Sequence, residues 1–485
     1  MKRTTWLAID LDRTSTTNLQ SQLSERLRQA IQSGKLTSGT TLPSTRELAS
    51  ELTISRNTVI AAYDRLLGEG YLESRPRSGI RVKEDIRSFG SSTAARSSQP
   101  MKRGATAKRF KFDVPLPKPF RPCQPDVELF PLAHWNRMRN RVLKKFGSGL
   151  LHYQSSFALG WPELRHALAE YLRTNRGVQC QWQNIAITSG SQQALFLLGQ
   201  LLATRGRVVG CEDPGYTGAR SAFAHAGAKL RPLAVDEAGI VPPKRRDRLD
   251  IIYTTPSRQF PTGATLPVAR RLDLLDYIRH TGAWLIEDDY DSEFRYSRPP
   301  LPSLHSLDTT GQVIYLGTMS KVLLPTLRIG YLVLPDSLAS SLEALRLVLE
   351  DHGPMIDQAT LAEFINQGGF YSHIRRCRKA YSARLEVFVQ ATKQLKLPLD
   401  FLFTDGGMNQ AGLFHDPTVD DRAVSMALAA AGLDIPPLSQ YRHKNTPGHP
   451  GLVFGFTAYT APAIRTALKT VAQVFTGLEL LPGAH

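Results

Sequence analysis

The chain has 485 residues, 42% of them hydrophobic, which is too long for one ordinary domain and enough for two to four packed ones. Lys and Arg exceed Asp and Glu by 17, so a polyanionic partner is plausible, though residues 1–82 carry only +4, residues 83–115 +5 and the remaining 370 +8. Cys123, Cys180, Cys211 and Cys377 form no CxxC pair, the N-terminus lacks an apolar signal core and no apolar run reaches membrane-spanning length, which argues for a soluble cytoplasmic protein with reduced thiols.

Leu19, Leu23, Leu27 and Ile31 recur every four residues, the spacing of an amphipathic helix that stops near Gly34. Pro43-Ser44-Thr45-Arg46-Glu47 opens a second helix, with Ser44 as cap and Glu47 completing a capping box. A third starts at or beside Ser55 and buries Val59, Ala62, Tyr63, Leu66 and Leu67 until Gly68. Short strands are predicted at 71–74 and 80–83, around Pro76-Arg77-Ser78-Gly79. Three helices followed by a two-stranded wing make a winged helix-turn-helix over residues 1–83. Residues 84–115, rich in Ser, Ala, Arg, Lys and Gly, read as a flexible basic linker.

In such a module the second helix of the helix-turn-helix enters the major groove, its first residues meeting base edges and phosphates. Here it begins Ser55-Arg56-Asn57-Thr58, and arginine can grip guanine, asparagine adenine. Ser44 and Arg46 on the preceding helix would face a phosphate, while Arg75, Arg77 and Gly79 on the wing suit the minor groove or the backbone. Singly, these are ordinary solvated or capping residues. Together with the order of elements they point to double-stranded operator DNA.

From residue 116 to 485 strand-like runs (185–188, 208–211, 251–254, 284–286, 313–316, 329–334) alternate with helical ones. That predicts an α/β fold, a doubly wound, mainly parallel sheet with its ligand beyond the carboxyl ends of the strands, and a smaller α+β subdomain in the last 130 residues. Lys321 follows one such run inside Gly317-Thr318-Met319-Ser320-Lys321, Arg328 comes seven positions later, and Asp288 closes an earlier run. An amine for an aldehyde, hydroxyls from Thr318 and Ser320 with a guanidinium for a phosphate, and a carboxylate for a ring nitrogen are what pyridoxal phosphate requires. Ser189-Gly190-Ser191-Gln192 turns into a helix whose first N–H groups can hold a phosphate dianion. The acidic run Glu287–Asp291 lacks histidine or cysteine partners, so no metal is expected there.

The run Leu42-Pro43-Ser44-Thr45-Arg46-Glu47-Leu48-Ala49, with Ser55-Arg56-Asn57-Thr58-Val59 and Glu69-Gly70-Tyr71-Leu72, resembles a GntR-family winged helix. Glu212-Asp213-Pro214-Gly215-Tyr216, Gln259-Phe260-Pro261-Thr262-Gly263, the acidic run and the lysine motif resemble fold-type I aminotransferases. The fusion, covering nearly the whole chain, looks like the MocR subfamily of bacterial transcriptional regulators. The resemblance implies Lys321 as Schiff-base residue, Asp288 at the pyridine nitrogen (Asp289 being the alternative), Tyr290 at the phenolic oxygen and Tyr216 stacked on the ring. It also implies that Tyr153 reaches across a homodimer to the neighbouring phosphate, although the usual Asp-Pro beside it is missing.

The pattern also departs from its relatives. Phe260 stands where many aminotransferases have an asparagine, and Val453 where they have the arginine that clamps a substrate carboxylate. Arg258 and Asn409 stand where this subfamily often has histidine, leaving Arg258 either to an anionic effector or to a surface salt bridge. The resemblance implies a cytoplasmic regulator that senses pyridoxal phosphate, or an amine or amino acid through aldimine exchange at Lys321, with domain closure re-aiming the winged helices. A competent aminotransferase carrying a DNA anchor is the alternative.

Overall fold

The computed structural model describes residues 9–15, 17–75, 79–83, 117–297, 301–444 and 446–481. The chain divides into two compact units, Met1–Asp113 and Val114–His485. The linker expected at 84–115 lies outside the described residues.

The first unit holds helices α1 (Leu19–Gln32), α2 (Thr45–Glu51) and α3 (Arg56–Gly68), then an antiparallel ribbon of β1 (Leu72–Arg75) and β2 (Gly79–Val82). Asn18 caps α1 by accepting from Ser21 N at 2.8 Å. The α1 stripe Leu23, Leu27 and Ile31 packs with Val59, Ala62, Tyr63 and Leu66 of α3 in one core. Leu67 stays partly exposed at its edge. Ser44 caps α2 and the Glu47 carboxylate returns to Ser44 N at 2.8 Å, the reciprocal box its spacing predicts.

The second unit is built on an eight-stranded sheet: β3 (Ile185–Thr188), β4 (Val208–Asp213), β5 (Lys229–Asp236), β6 (Gly239–Ile240), β7 (Ile251–Thr254), β8 (Trp284–Asp289), β9 (Val313–Thr318) and β10 (Gly330–Val333). Their order is β3-β10-β9-β8-β7-β4-β5-β6. The interior pairs are parallel, but β10 runs antiparallel to both neighbours and β6 antiparallel to β5. Side chains alternate between two cores: Tyr253, Ile286, Ile314, Leu316 and Leu332 face one, while Ile252, Leu285 and Val313 belong to another. The sequence did not reveal β5, because its Lys, Arg, Pro and Asp interrupt any apolar run and five of its eight residues are exposed. A smaller subdomain carries the antiparallel sheet β11 (Leu399–Phe401), β12 (Asn409–Phe414) and β13 (Gly451–Gly455), covered by the helices Gly369–Gln394 and Ala461–Gly477.

Candidate functional site

On the first unit, Ser55 caps α3 by accepting from Thr58 N at 3.1 Å, and the two hydroxyls lie 2.8 Å apart. This spends Ser55 and Thr58 on the helix start and leaves Arg56 and Asn57 exposed beside it. Arg56 Nε donates to Thr45 Oγ1 at 3.2 Å, which orients its guanidinium across the start of α2. Ser44 and Arg46 are exposed on that same element. On the wing, Arg75 is exposed with Nε 3.2 Å from Glu73, and Gly79 opens β2 at φ +81° with nothing near its missing side chain. Arg77 lies outside the described residues. The turn and wing thus present one guanidinium and one amide at a helix start, the geometry a major groove accepts.

On the second unit, the carboxyl ends of β7 and β8 open into a cavity of about 510 Å³ lined by Tyr216, Tyr253, Phe260, Asp288, Tyr290 and Lys321, among others. Tyr253 lies opposite Ile286 across β7 and β8, and Asp288, two residues further along β8, projects from the same face. The Tyr253 hydroxyl donates to Asp288 Oδ2 at 2.6 Å, and Asp288 Oδ1 is buried without a partner. Burial pushes the Asp288 carboxyl up to about 7, against the lowering pull of the Tyr253 bond. Asp289 points the other way. It pairs with the buried guanidinium of Arg176 at 2.6 Å and accepts from Tyr315 and from Ser292 Oγ. Burial opposes its charge, but Arg176 and these hydroxyls hold its carboxyl below the ordinary value. The pleat therefore puts Asp288 on the cavity side of β8 and Asp289 on the other.

Lys321 Nζ donates to the Cys123 carbonyl at 3.1 Å. Tyr290 lines the same cavity with its hydroxyl buried and unpartnered, and burial pushes that phenol far up, so it stays a donor. Tyr216, Tyr290 and Tyr441 each meet the edge or face of Phe260, at ring separations of 6.1, 5.8 and 5.0 Å. At the start of the helix Ser191–Leu202, Arg328 Nη2 donates to the Ser189 carbonyl at 2.9 Å. Gly190 sits at φ +85°, and a Cβ there would stand 3.1 Å from that guanidinium. A helix start and an arginine converge on one turn, as an anion site needs. Gln192 is held by its own contacts, accepting from Tyr216 and donating to the Gly218 carbonyl. Ser320 Oγ is buried without a partner, while Thr318 Oγ1 accepts from Ser320 N.

The expectation for Arg258 meets a different geometry, while that for Tyr153 concerns a neighbouring chain. Tyr153 is 88% exposed beside His352, away from this cavity of its own chain. Arg258 is neither on the surface nor in the Lys321 cavity. It is buried, 3.3 Å from Asp291, and donates to Thr404 and to the Asn409 carbonyl, which ties the sheet to the smaller subdomain. Gly407 leaves room for it: a Cβ there would collide with the guanidinium. Tyr253, Cys123, Arg121 and Tyr441 were not singled out by sequence reasoning. Only Tyr253 carried a local signal, as an aromatic near the end of a recognised strand.

Compared with known proteins, residues 19–82 match the family described as bacterial regulatory proteins, gntR family, and residues 147–409 match aminotransferase class I and II. The chain is 36% identical, over 97% of its length and 96% of the relative's, to a probable rhizopine catabolism regulatory protein MocR of Rhizobium meliloti. It is 32% identical, over 96% and 98%, to the pyridoxine biosynthesis transcriptional regulator PdxR of Corynebacterium glutamicum. Among solved structures, an alpha-aminoadipate aminotransferase of Thermus thermophilus complexed with N-(5'-phosphopyridoxyl)-L-leucine matches 75% of this chain and 93% of its own, at a TM-score of 0.68 and 26% identity. A kynurenine aminotransferase of Pyrococcus horikoshii matches 74% and 90%, at 0.67 and 26%.

Proposed function

This chain belongs to the MocR-type bacterial regulators, a GntR winged helix joined to an aminotransferase class I and II unit, and we propose that it is a transcription factor that binds pyridoxal phosphate and responds to it or to an amine or amino acid that reacts with it. The observation that carries this reading is the cavity lined by both Asp288 and Lys321, with buried polar groups there and nearby left without partners. Asp288 Oδ1, Tyr290 Oη and Ser320 Oγ are buried and unpartnered, and the Gly190 turn leaves room for the Arg328 guanidinium. Buried polar groups of this kind ordinarily have partners, and a ring nitrogen, a phenolic oxygen and a phosphate would supply them.

Pyridoxal phosphate, when bound, supplies an aldehyde that condenses with a primary amine. Lys321 is the resident amine, and when released it has the Cys123 carbonyl as an acceptor. Asp288 Oδ1 would accept a hydrogen bond from the protonated ring nitrogen and keep the proton there, and the Tyr290 hydroxyl would donate one to the phenolic oxygen. Arg328 and the helix start at Ser191 hold the anionic end. Tyr216 and Phe260 exclude water from the faces. In this reading Arg56 and Asn57 address operator bases, the protein works in the cytoplasm, and it acts as a homodimer in which Tyr153 serves the neighbouring site. The exposed Leu151 and Tyr153, which line one cleft with His352, support a self-association surface.

Competent transamination is the weaker reading. Val453 is fully buried with Phe260, Leu438 and Tyr441, so an apolar wall stands where a carboxylate clamp would be needed. The test is a spectral titration of purified protein with pyridoxal phosphate, repeated on Lys321→Ala. The expected result is a visible absorbance band, absent from the variant, that borohydride abolishes while fixing the pyridoxyl group covalently on Lys321. Reduction that labels another lysine, or none, would refute the assignment.

A further inference from the structure

The charges lining the Lys321 cavity bear on which amine it admits. Among the described residues the lining contains two cations, Arg121 and Lys321, and two anions, Asp288 and Asp434. Under the function proposed above, Lys321 and Asp288 are committed to the cofactor. The remaining pair stands at the rim and is matched: Arg121 Nε lies 3.8 Å from Asp434 Oδ2. The rest of the lining includes Pro122, Phe260, Pro436 and Tyr441, backed by the buried Val453 and Leu438, with the uncharged Ser191, Thr217, Thr255 and Gln440 beside them. No cation is left over.

We infer that this cavity selects a primary amine that carries no carboxylate, with an apolar or hydroxylated body. A carboxylate placed against those apolar residues would be desolvated without a counter-charge. Moving it out to Arg121 brings it against Asp434, a like charge on the same rim. Neutral polar groups meet no such penalty, since Arg121 donates, Asp434 accepts and Gln440 does both. Aromatic faces at Phe260 and Tyr441 suit an apolar body. The exchange itself is balanced: one C=N bond forms to the incoming nitrogen, the one to Lys321 breaks, and hydrogen passes from the incoming nitrogen to Nζ. No oxidant or reductant is consumed.

The strap that bears Arg121 is unusual in its backbone. Phe120 and Cys123 both adopt positive φ, +70° and +58°, although neither is glycine. It is pinned to the smaller subdomain, with Asp434 N donating to the Pro119 carbonyl and Gly455 N to the Phe120 carbonyl, both at 2.8 Å. Cys123 ends it at Lys321. The backbone that bears the rim pair is thereby tied to the segment that meets Lys321, which keeps the two opposite charges together at the rim.

The experiment compares matched ligands on the full-length, cofactor-loaded protein: tyramine with L-tyrosine, and ethanolamine with L-serine. Binding is read by the change in cofactor absorbance and independently by calorimetry. Each amine is expected to bind at least tenfold more tightly than its amino acid, and Asp434→Asn, which frees Arg121, should narrow that gap. Amino acids binding as well as their amines, with their affinity lost in Arg121→Ala, would overturn the inference and make Arg121 a carboxylate clamp. That outcome leaves the proposed function standing. A native protein with no Lys321-dependent band would refute the function itself, and a band that no amine perturbs would refute the selectivity.

Discussion

The Tyr253 hydroxyl reaches Asp288 Oδ2 at 2.6 Å from the adjacent parallel strand, while Oδ1 of the same carboxyl is buried with no partner. One oxygen is thus fixed by the protein and the other is left for something that enters the cavity. Tyr253→Phe removes the fixed bond without changing the ring. The affinity of the apoprotein for pyridoxal phosphate should fall about tenfold, roughly the 1.4 kcal/mol of one hydrogen bond to a charged group. Fluorescence titration measures it, and an unchanged Kd would remove Tyr253 from the site.

The Asp288 carboxyl gives a pH prediction for the apoprotein. Burial lifts it from an ordinary 3.8 to about 7, so the folded chain holds this proton more tightly than the unfolded chain does. Its contribution is therefore full below pH 3.8 and is lost as pH rises through 7. Asp288→Asn removes the buried charge. It should stabilise the apoprotein at pH 8 by on the order of 1–4 kcal/mol, with the gain shrinking as pH falls toward 4. Chemical denaturation at pH 5 and pH 8 checks this. A gain equal at both would contradict it.

Gly190 occupies φ +85° with the Arg328 guanidinium 3.1 Å from where a Cβ would stand. Gly190→Ala adds backbone strain of about 1–3 kcal/mol and displaces that guanidinium. Thermal melting should show the loss, and the affinity for inorganic phosphate should drop with it. A variant as stable and as avid as the parent would show that the turn tolerates a side chain.

Arg258 and Asp291 form a buried pair, and burial already lifts the Asp291 carboxyl to about 7 despite Arg258. Arg258→Leu leaves that carboxyl alone and cuts the link to Thr404 and Asn409. The expected cost is about 3–5 kcal/mol, partly restored by adding Asp291→Asn. Melting temperatures of the two variants test the coupling, and a single variant that melts like the parent would refute it.

Arg56→Ala should weaken operator binding at least tenfold, the equivalent of about 1–3 kcal/mol for a base contact, and leave the cofactor spectrum intact. Gel-shift and absorbance measurements on the same preparation decide it. Simultaneous loss of both would contradict separable units.

Much of this site could be read along the chain because its chemistry is local. A lysine three residues beyond the end of β9, an arginine seven positions later and an aspartate near the end of β8 keep their spacing whatever surrounds them, and the Ser44–Glu47 box lies within one helical turn. The strand Gly330–Val333 was legible as a strand, but not its antiparallel place between β9 and β3, since direction is set by partners and not by hydrophobic pattern. Asp288 and Asp289 could not be told apart without knowing which sheet face met which core.

Element types, the winged helix and the candidate lysine followed from residue order, because capping, periodicity and the lysine and arginine spacings act over a few positions. The contacts that shape the cavity did not. Tyr253 meets Asp288 across 35 residues and Cys123 meets Lys321 across 198. Arg258, read as an exposed or ligand-binding charge, became a buried tie once two glycines and Asp291 closed around it. Side-chain chemistry is written residue by residue, but burial and charge pairing belong to the space between segments, and only the folded chain brings those segments together.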